Sequence, residues 1–112
     1  MPQQSQRVQH VFRALGDPVR LAVVERLVRG EASTSEMAKP FRMALPSFIQ
    51  HLAVLEDSGL VSSRKRGRQR IYRLETRKLE FASHWLDRQR SLWTKRLDQL
   101  DAFLLSTKDE KS

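Results

Sequence analysis

The sequence predicts a mainly α-helical fold that carries one small β-hairpin. Apolar residues recur at helical spacing along most of the chain, and only residues 60–74 alternate as extended strands do. Glycine and proline residues separate these segments at the points where helices would end or begin. The chain has 112 residues, a length typical of one domain, so we predict a single domain over residues 1–112.

Two helices are predicted in the first part of the chain. The first covers residues 3–15, where one helical stripe consists of Val8, Val11, Phe12 and Leu15. Gly16 is suited to end this helix. A second helix begins directly afterwards, because Asp17 can accept hydrogen bonds from free backbone N–H groups and Pro18 fits the first helical position. Gly30 ends this second helix.

A helix-turn-helix pair is predicted over residues 34–58. Ser33 and Glu36 have the spacing of a capping box, so a short third helix should begin after Ser33. Pro40 limits that helix to residues 34–40. A fourth helix follows over residues 45–58, and the stripe that it should bury consists of Phe48, Leu52 and Leu55.

A hairpin and a long helix complete the chain. The hairpin covers residues 60–74, and Gly67 is best suited to its tip because glycine readily takes a positive φ. The long helix covers residues 76–105 and has one wide apolar face. At ~40 Å it would be longer than a small domain is wide, so part of this face should lie outside the core of its own subunit. Residues 106–112 are polar and are predicted to fray.

This order of elements is that of a winged helix-turn-helix, in which the fourth helix enters the major groove of DNA. Gln50 can pair with adenine, and Ser47 can bond to a base or a phosphate. The residues predicted to read DNA lie opposite the buried stripe: Leu45, Pro46, Ser47, Ile49 and Gln50. The alternative is that this face is ordinary solvated helix surface.

The charge of the chain is strongly positive, with 21 Lys and Arg against 13 Asp and Glu and a formal net charge of +8. Such an excess is typical of nucleic-acid-binding domains, although an anionic membrane or an acidic protein would also attract it. The hairpin, or wing, lies in a stretch without acidic residues between Asp57 and Glu75. The wing residues predicted to contact the DNA backbone are Arg64, Lys65, Arg66, Arg68 and Arg70. The alternative is a solubilising charge run.

Several classes of function are disfavoured by what the sequence lacks. The chain has no cysteine, which excludes disulfides, thiolate metal sites and thiol redox sensing. Its N-terminal residues do not form a secretion signal, and no apolar run has the length of a membrane helix, so we expect a cytoplasmic protein without membrane contacts. No catalytic constellation or phosphate-cradling glycine loop is present, so we expect neither an enzyme nor a cofactor.

Taken in order, several segments resemble the ArsR/SmtB family of transcriptional regulators. They are Leu15-Gly16-Asp17-Pro18-Val19-Arg20-Leu21, Gly30-Glu31, Glu36-Met37-Ala38, the stretch 48–55 with Ser58-Gly59-Leu60-Val61, and Gly67-Arg68 with Tyr72-Arg73-Leu74. The resemblance covers about residues 8–75. It implies a homodimeric repressor that binds double-stranded DNA at an imperfect palindrome.

The resemblance also implies that the first and last helices form the dimer interface, in agreement with their apolar stripes. The residues expected there are Val8, Val11, Phe12, Leu15, Trp85, Leu92, Trp93, Leu97 and Leu100. Metal sensors of this family use a cysteine pair in the third helix, or histidine and acidic ligands in the last helix. Here residues 35–39 contain no cysteine, and the last helix has His84 without a second histidine. We therefore expect no metal site and no metal regulation.

Three questions stay open at this point. A small-molecule effector is compatible with the sequence, but nothing identifies it. A winged helix can also serve as a protein-interaction module without DNA specificity, and a monomer without duplex affinity would favour that function. A third alternative, binding of RNA or a membrane surface, is disfavoured because the arginines crowd in a hairpin rather than along an amphipathic helix.

Overall fold

The computed structural model describes the backbone of residues 3–110 and the side chains of residues 7–107. The elements, in chain order, are α1 Gln3–Leu15, α2 Pro18–Val28, β1 Ala32–Ser33, α3 Thr34–Ala38, α4 Leu45–Asp57, β2 Val61–Arg66, β3 Gln69–Leu74 and α5 Thr76–Glu110. This architecture confirms the predicted mainly helical fold with a small hairpin. The first strand, β1, was not predicted.

Local hydrogen bonds explain where the early helices begin. Asp17 caps α2, since its Oδ2 accepts from the backbone N–H of Val19 at 2.9 Å and of Arg20 at 3.1 Å. The Arg20 N–H bond is the main reason why the pKa of Asp17 is lowered. The predicted capping box of α3 is also present, with the Glu36 N–H donating to Ser33 Oγ and the Ser33 N–H donating to Glu36 Oε1. This helix ends at Ala38, two residues before the predicted end at residue 40.

The three strands form one antiparallel sheet in the order β1-β3-β2. The central position of β3 affects the burial of its side chains. Ile71 and Tyr72 point to opposite faces of β3, and both are buried, at 8% and 5% exposure. Ala32 of β1 pairs with Tyr72, so β1 covers the second edge of β3. Gly67 takes the predicted tip position, with φ at +64°.

The core lies where the helix-turn-helix meets the sheet. The predicted stripe of α4, Phe48, Leu52 and Leu55, is completely buried. Leu60, which follows α4, is also completely buried. Burial of these four side chains anchors α4 by one face, so its opposite face is left at the surface.

The contacts within the chain define two compact units, one ending at Ala82 and the other beginning at Ser83. The single domain over residues 1–112 stays a prediction. The last helix differs from its predicted bounds. We predicted a frayed tail over residues 106–112, but α5 continues to Glu110 because neither glycine nor proline interrupts it. The Thr107 hydroxyl donates to the Phe103 carbonyl at 3.0 Å within this last part. Residues 111 and 112 lie outside the described residues.

The helices that the structure describes are α1 to α5. None of them combines the length and the apolar character needed to cross a bilayer.

Candidate nucleic-acid interface

The N-terminal half of α4 presents a neutral, exposed face. All five residues predicted to read DNA lie on the surface there: Leu45, Pro46, Ser47, Ile49 and Gln50. Leu45 is 51% exposed and Ile49 is 45% exposed, whereas Phe48 between them is fully buried. The face combines an amide, a hydroxyl and apolar groups, and these are the groups that can meet base edges and thymine methyls in a major groove.

The turn before α4 is held by an aromatic contact that the sequence analysis missed. Phe41 lies in the loop between α3 and α4, and its ring centroid is 5.5 Å from that of Phe48 at an interplanar angle of 31°. Because Phe48 is fully buried, this contact attaches the loop to the core. The short spacing between the two helices is therefore maintained by packing.

The register of the hairpin sorts its cations onto two faces. In the sheet, Lys65 pairs with Arg70 and Ser63 pairs with Tyr72, and these residues share one face because side chains alternate along a strand. The Ser63 hydroxyl donates to Glu56 Oε1 of α4 at 2.6 Å. The face with Lys65 and Arg70 is therefore the one that is turned towards α4.

The opposite face of the hairpin carries Arg64 and Arg66. Arg64 donates two hydrogen bonds to Glu31, Nη1 to Oε1 at 3.0 Å and Nη2 to Oε2 at 2.7 Å. This bidentate contact is the main cause of a lowered pKa at Glu31 and a raised pKa at Arg64. On the same face, Arg73 contacts Glu75 at 3.0 Å. The sequence did not indicate this partner of Arg64. No acidic residue lies between Asp57 and Glu75, and Glu31 lies 33 residues earlier in the chain.

A groove of about 340 Å³ separates α4, the predicted recognition helix, from the wing. Its walls combine residues from both groups that the sequence predicted to contact DNA, together with hydroxyls at the start of α3: Ser33, Thr34, Ser35, Leu45, Ile49, Arg68, Gln69, Arg70 and Tyr72. Burial raises the pKa of the Tyr72 phenol, which therefore stays neutral. The structure thus brings Leu45 and Ile49 close to Arg68 and Arg70, whereas Arg66 lines a different hollow beside Glu31.

The apolar residues predicted for a dimer interface fall into three groups. Val8 and Val11 are already buried within the chain, at 3% and 0% exposure, so they offer almost no surface to a partner. Phe12, Leu15 and Trp85 are half-buried. The remaining four are more than half exposed: Leu92, Trp93, Leu97 and Leu100. The same helix also exposes Leu86, Phe103, Leu104 and Leu105.

Within residues whose side chains are described, no group of three or more histidine, cysteine, aspartate or glutamate side chains could hold a metal ion.

An anchored helix pair, a cationic hairpin and a groove between them define the class of the protein, a winged helix-turn-helix DNA-binding protein. The model of a helix-turn-helix domain matches residues 15–64. A helix-turn-helix transcriptional regulator of Mycobacterium tuberculosis is 37% identical over 86 residues, which are 77% of this chain and 78% of that protein. The chain belongs to the ArsR family of transcriptional regulators.

Two further relatives agree with this assignment. A transcriptional repressor of Bacillus subtilis is 29% identical over 77 residues, which are 69% of this chain and 86% of that protein. A crystal structure of an ArsR family transcriptional regulator superimposes with a TM-score of 0.78 at 46% identity, over 84% of this chain and 97% of the other.

Proposed function

We propose that the protein is a homodimeric repressor that binds a pseudo-palindromic operator. In each protomer the exposed face of α4 reads base edges in a major groove, and the wing contacts the adjacent backbone. The observation that carries this proposal is the shared groove, whose walls hold Leu45 and Ile49 on one side and Arg68 and Arg70 on the other. Repression is supported by the relative in Bacillus subtilis, which is named a repressor.

The faces of the hairpin refine the predicted set of DNA contacts. Lys65, Arg68 and Arg70 lie on or beside the face turned towards α4, and we assign the phosphate contacts to them. Arg64 is engaged with Glu31 on the opposite face, so it is a weaker candidate for a DNA contact than the sequence suggested. The net charge of +8 supports the general attraction to DNA.

Dimerisation is supported by the exposed apolar residues of α5. Leu86, Trp93 and Leu100 are spaced by seven residues, as expected for a seam between two helices. Their exposure ranges from 50% to 68%. A contiguous apolar surface of this kind is normally covered by a partner. We assign it to a second copy of the chain, because a two-fold dimer presents its two recognition helices to the two halves of a palindrome.

We further propose that neither metal ions nor thiol oxidation releases the repressor from DNA. The chain has no cysteine that could serve as a thiolate ligand or redox centre. Its three histidines are too few and too dispersed along the sequence to supply a histidine-rich site.

Selection of bound duplexes from a random pool tests the proposal directly. The purified chain should enrich one pseudo-palindromic sequence, and light scattering should give the mass of a dimer both free and on the duplex. Adding Zn²⁺, arsenite or a chelator to the complex should leave the affinity unchanged. Enrichment of no sequence, or a monomeric complex, would contradict the proposed function, and release by one of the ions would contradict the absence of metal regulation.

A further inference from the structure

One side chain of the first compact unit connects the end of α1, the start of α2 and the middle of the recognition helix. Arg20 lies in the first turn of α2 and uses three of its nitrogens at once. Nε donates to the Ala14 carbonyl at 2.7 Å, Nη2 donates to the Arg13 carbonyl at 3.2 Å, and Nη1 lies 3.1 Å from His51 Nδ1 on α4. We propose that Arg20 is a positioning residue that sets the orientation of α4 for base reading.

The first two of these bonds explain why the guanidinium stays at this corner. The last carbonyls of a helix have no partner within the helix, and they carry the negative end of its dipole. Arg13 and Ala14 provide two such carbonyls in the last turn of α1, and both face one planar cation. The guanidinium has a rigid fork of donors, whereas a lysine ammonium could not span both carbonyls and a third acceptor in the same way.

The third contact reaches the recognition helix itself. A guanidinium can only donate, so Nδ1 of His51 is the acceptor of this bond. His51 directly follows Gln50 in sequence and is half-buried, with its Nδ1 also 3.6 Å from Oδ2 of Asp17. Asp17 caps α2, so the imidazole is held in a niche built by the corner between α1 and α2.

This contact adds a directional restraint on the orientation of α4. The stripe of Phe48, Leu52 and Leu55 attaches the helix to the core, but apolar packing is not directional. The bond between Arg20 and His51 is directional and acts at the edge of the buried stripe, one residue after Gln50. Base readout depends on the alignment of side chains with base edges, whereas contacts to phosphates tolerate small rotations. Loss of Arg20 should therefore reduce specificity more than general affinity.

The experiment rests on the proposed function and compares two variants with equal net charge. Arg20→Met removes the three donors, and Arg29→Met removes the same charge from the exposed C-cap of α2. The affinity of each variant is measured for the duplex selected by the wild-type chain and for a scrambled duplex of the same length. Arg20→Met should lower the ratio of the two affinities by about tenfold, as expected for a lost bond to a charged group. Arg29→Met should leave the ratio unchanged.

A second pair of variants separates positioning from a purely structural role. The side-chain oxygen of His51→Asn can accept a hydrogen bond near the place of Nδ1, whereas His51→Leu cannot accept one. The asparagine variant should keep the affinity ratio and the leucine variant should lose it. If Arg20→Met does not fold by circular dichroism, this pair decides the question.

Failure of the positioning role and failure of the proposed function would give different results. Equal ratios for Arg20→Met and Arg29→Met, or for the two His51 variants, would overturn the positioning role while leaving the proposed function intact. A wild-type chain that selects no duplex would overturn the proposed function itself.

Discussion

The two faces of the wing make opposite predictions for two arginines that look equivalent in the sequence. Arg70 shares the face of Lys65 and is directed by a hydrogen bond from its Nε to Ser63 Oγ at 3.0 Å. Arg64 lies on the other face in its bidentate contact with Glu31. We compare Arg70→Gln with Arg64→Gln, since both remove one positive charge per protomer. Only the first should remove a phosphate contact.

The magnitude follows from counterion release. The logarithm of the binding constant changes with the logarithm of the salt concentration by about −0.9 for each phosphate contact. A dimer of the Arg70→Gln variant loses two contacts, so its slope should be less steep by about 1.8. If the variant and the wild-type chain bind equally at ~1 M salt, this difference in slope makes the variant bind about thirtyfold more weakly at ~0.15 M salt. For Arg64→Gln we expect an unchanged slope and a loss below about threefold, because a distant charge is screened.

The assay is fluorescence anisotropy of a labelled duplex, titrated with each variant at several salt concentrations. Ser63→Ala is an informative comparison, because it leaves every charge in place but removes both the hydrogen bond that orients Arg70 and the one that joins the wing to Glu56 of α4. Its slope should lie between those of the wild-type chain and Arg70→Gln. Equal slopes for the Arg64 and Arg70 variants would refute the assignment of the faces.

The remaining predictions concern the dimer, the core and acid stability. Trp93→Glu should raise the dimer dissociation constant by about a hundredfold or more, measured by sedimentation, because an unpaired charge in an apolar interface costs several kcal/mol; an unchanged dimer would show that α5 is not the interface. Phe48→Ala should lower the free energy of unfolding by about 3–5 kcal/mol in urea denaturation, since its ring is fully buried. Ile49→Ala next to it should weaken DNA binding at nearly wild-type stability, and the reverse pattern would contradict the orientation of α4. The lowered pKa of Asp17 predicts that this residue contributes stability above its unfolded pKa of about 3.9 and that the contribution is lost as the pH falls further. Asp17→Asn should therefore have a flatter pH dependence of the melting temperature. A variant with the same pH profile as the wild-type chain would exclude the Asp17 cap as the source of that pH dependence.

Most of the fold could be predicted because its signals are local. Asp17 and Ser33 cap helices through side-chain oxygens within a few residues of the N–H groups that they accept from, and the stripe of α4 is visible as a period. β1 could not be predicted, because two residues are too few to show a period. Its pairing makes β3 the central strand of the sheet, and Ile71 and Tyr72, which point to opposite faces of that strand, are both buried.

The candidate site was predicted as a set of residues but not as an arrangement. Alternation along the hairpin indicates which cations share a face, yet it does not indicate which face is turned towards α4. That orientation depends on the bond between Ser63 and Glu56, and the pairing of Arg64 depends on Glu31, a residue from another part of the chain. The link between Arg20 and His51 spans 31 residues and left no periodic signal either.

The distribution of charge divides the work of binding between the two elements. The exposed start of α4 carries no ionisable side chain among Leu45, Pro46, Ser47, Ile49 and Gln50, whereas the wing face towards it carries cations. Salt-dependent affinity should therefore arise from the wing, and discrimination between sequences should arise from α4. Gln50→Ala should consequently lower the affinity for the selected duplex without changing the salt slope, and Arg70→Gln should weaken binding to all duplexes alike. If both variants changed slope and specificity together, the two elements would have to act as one surface.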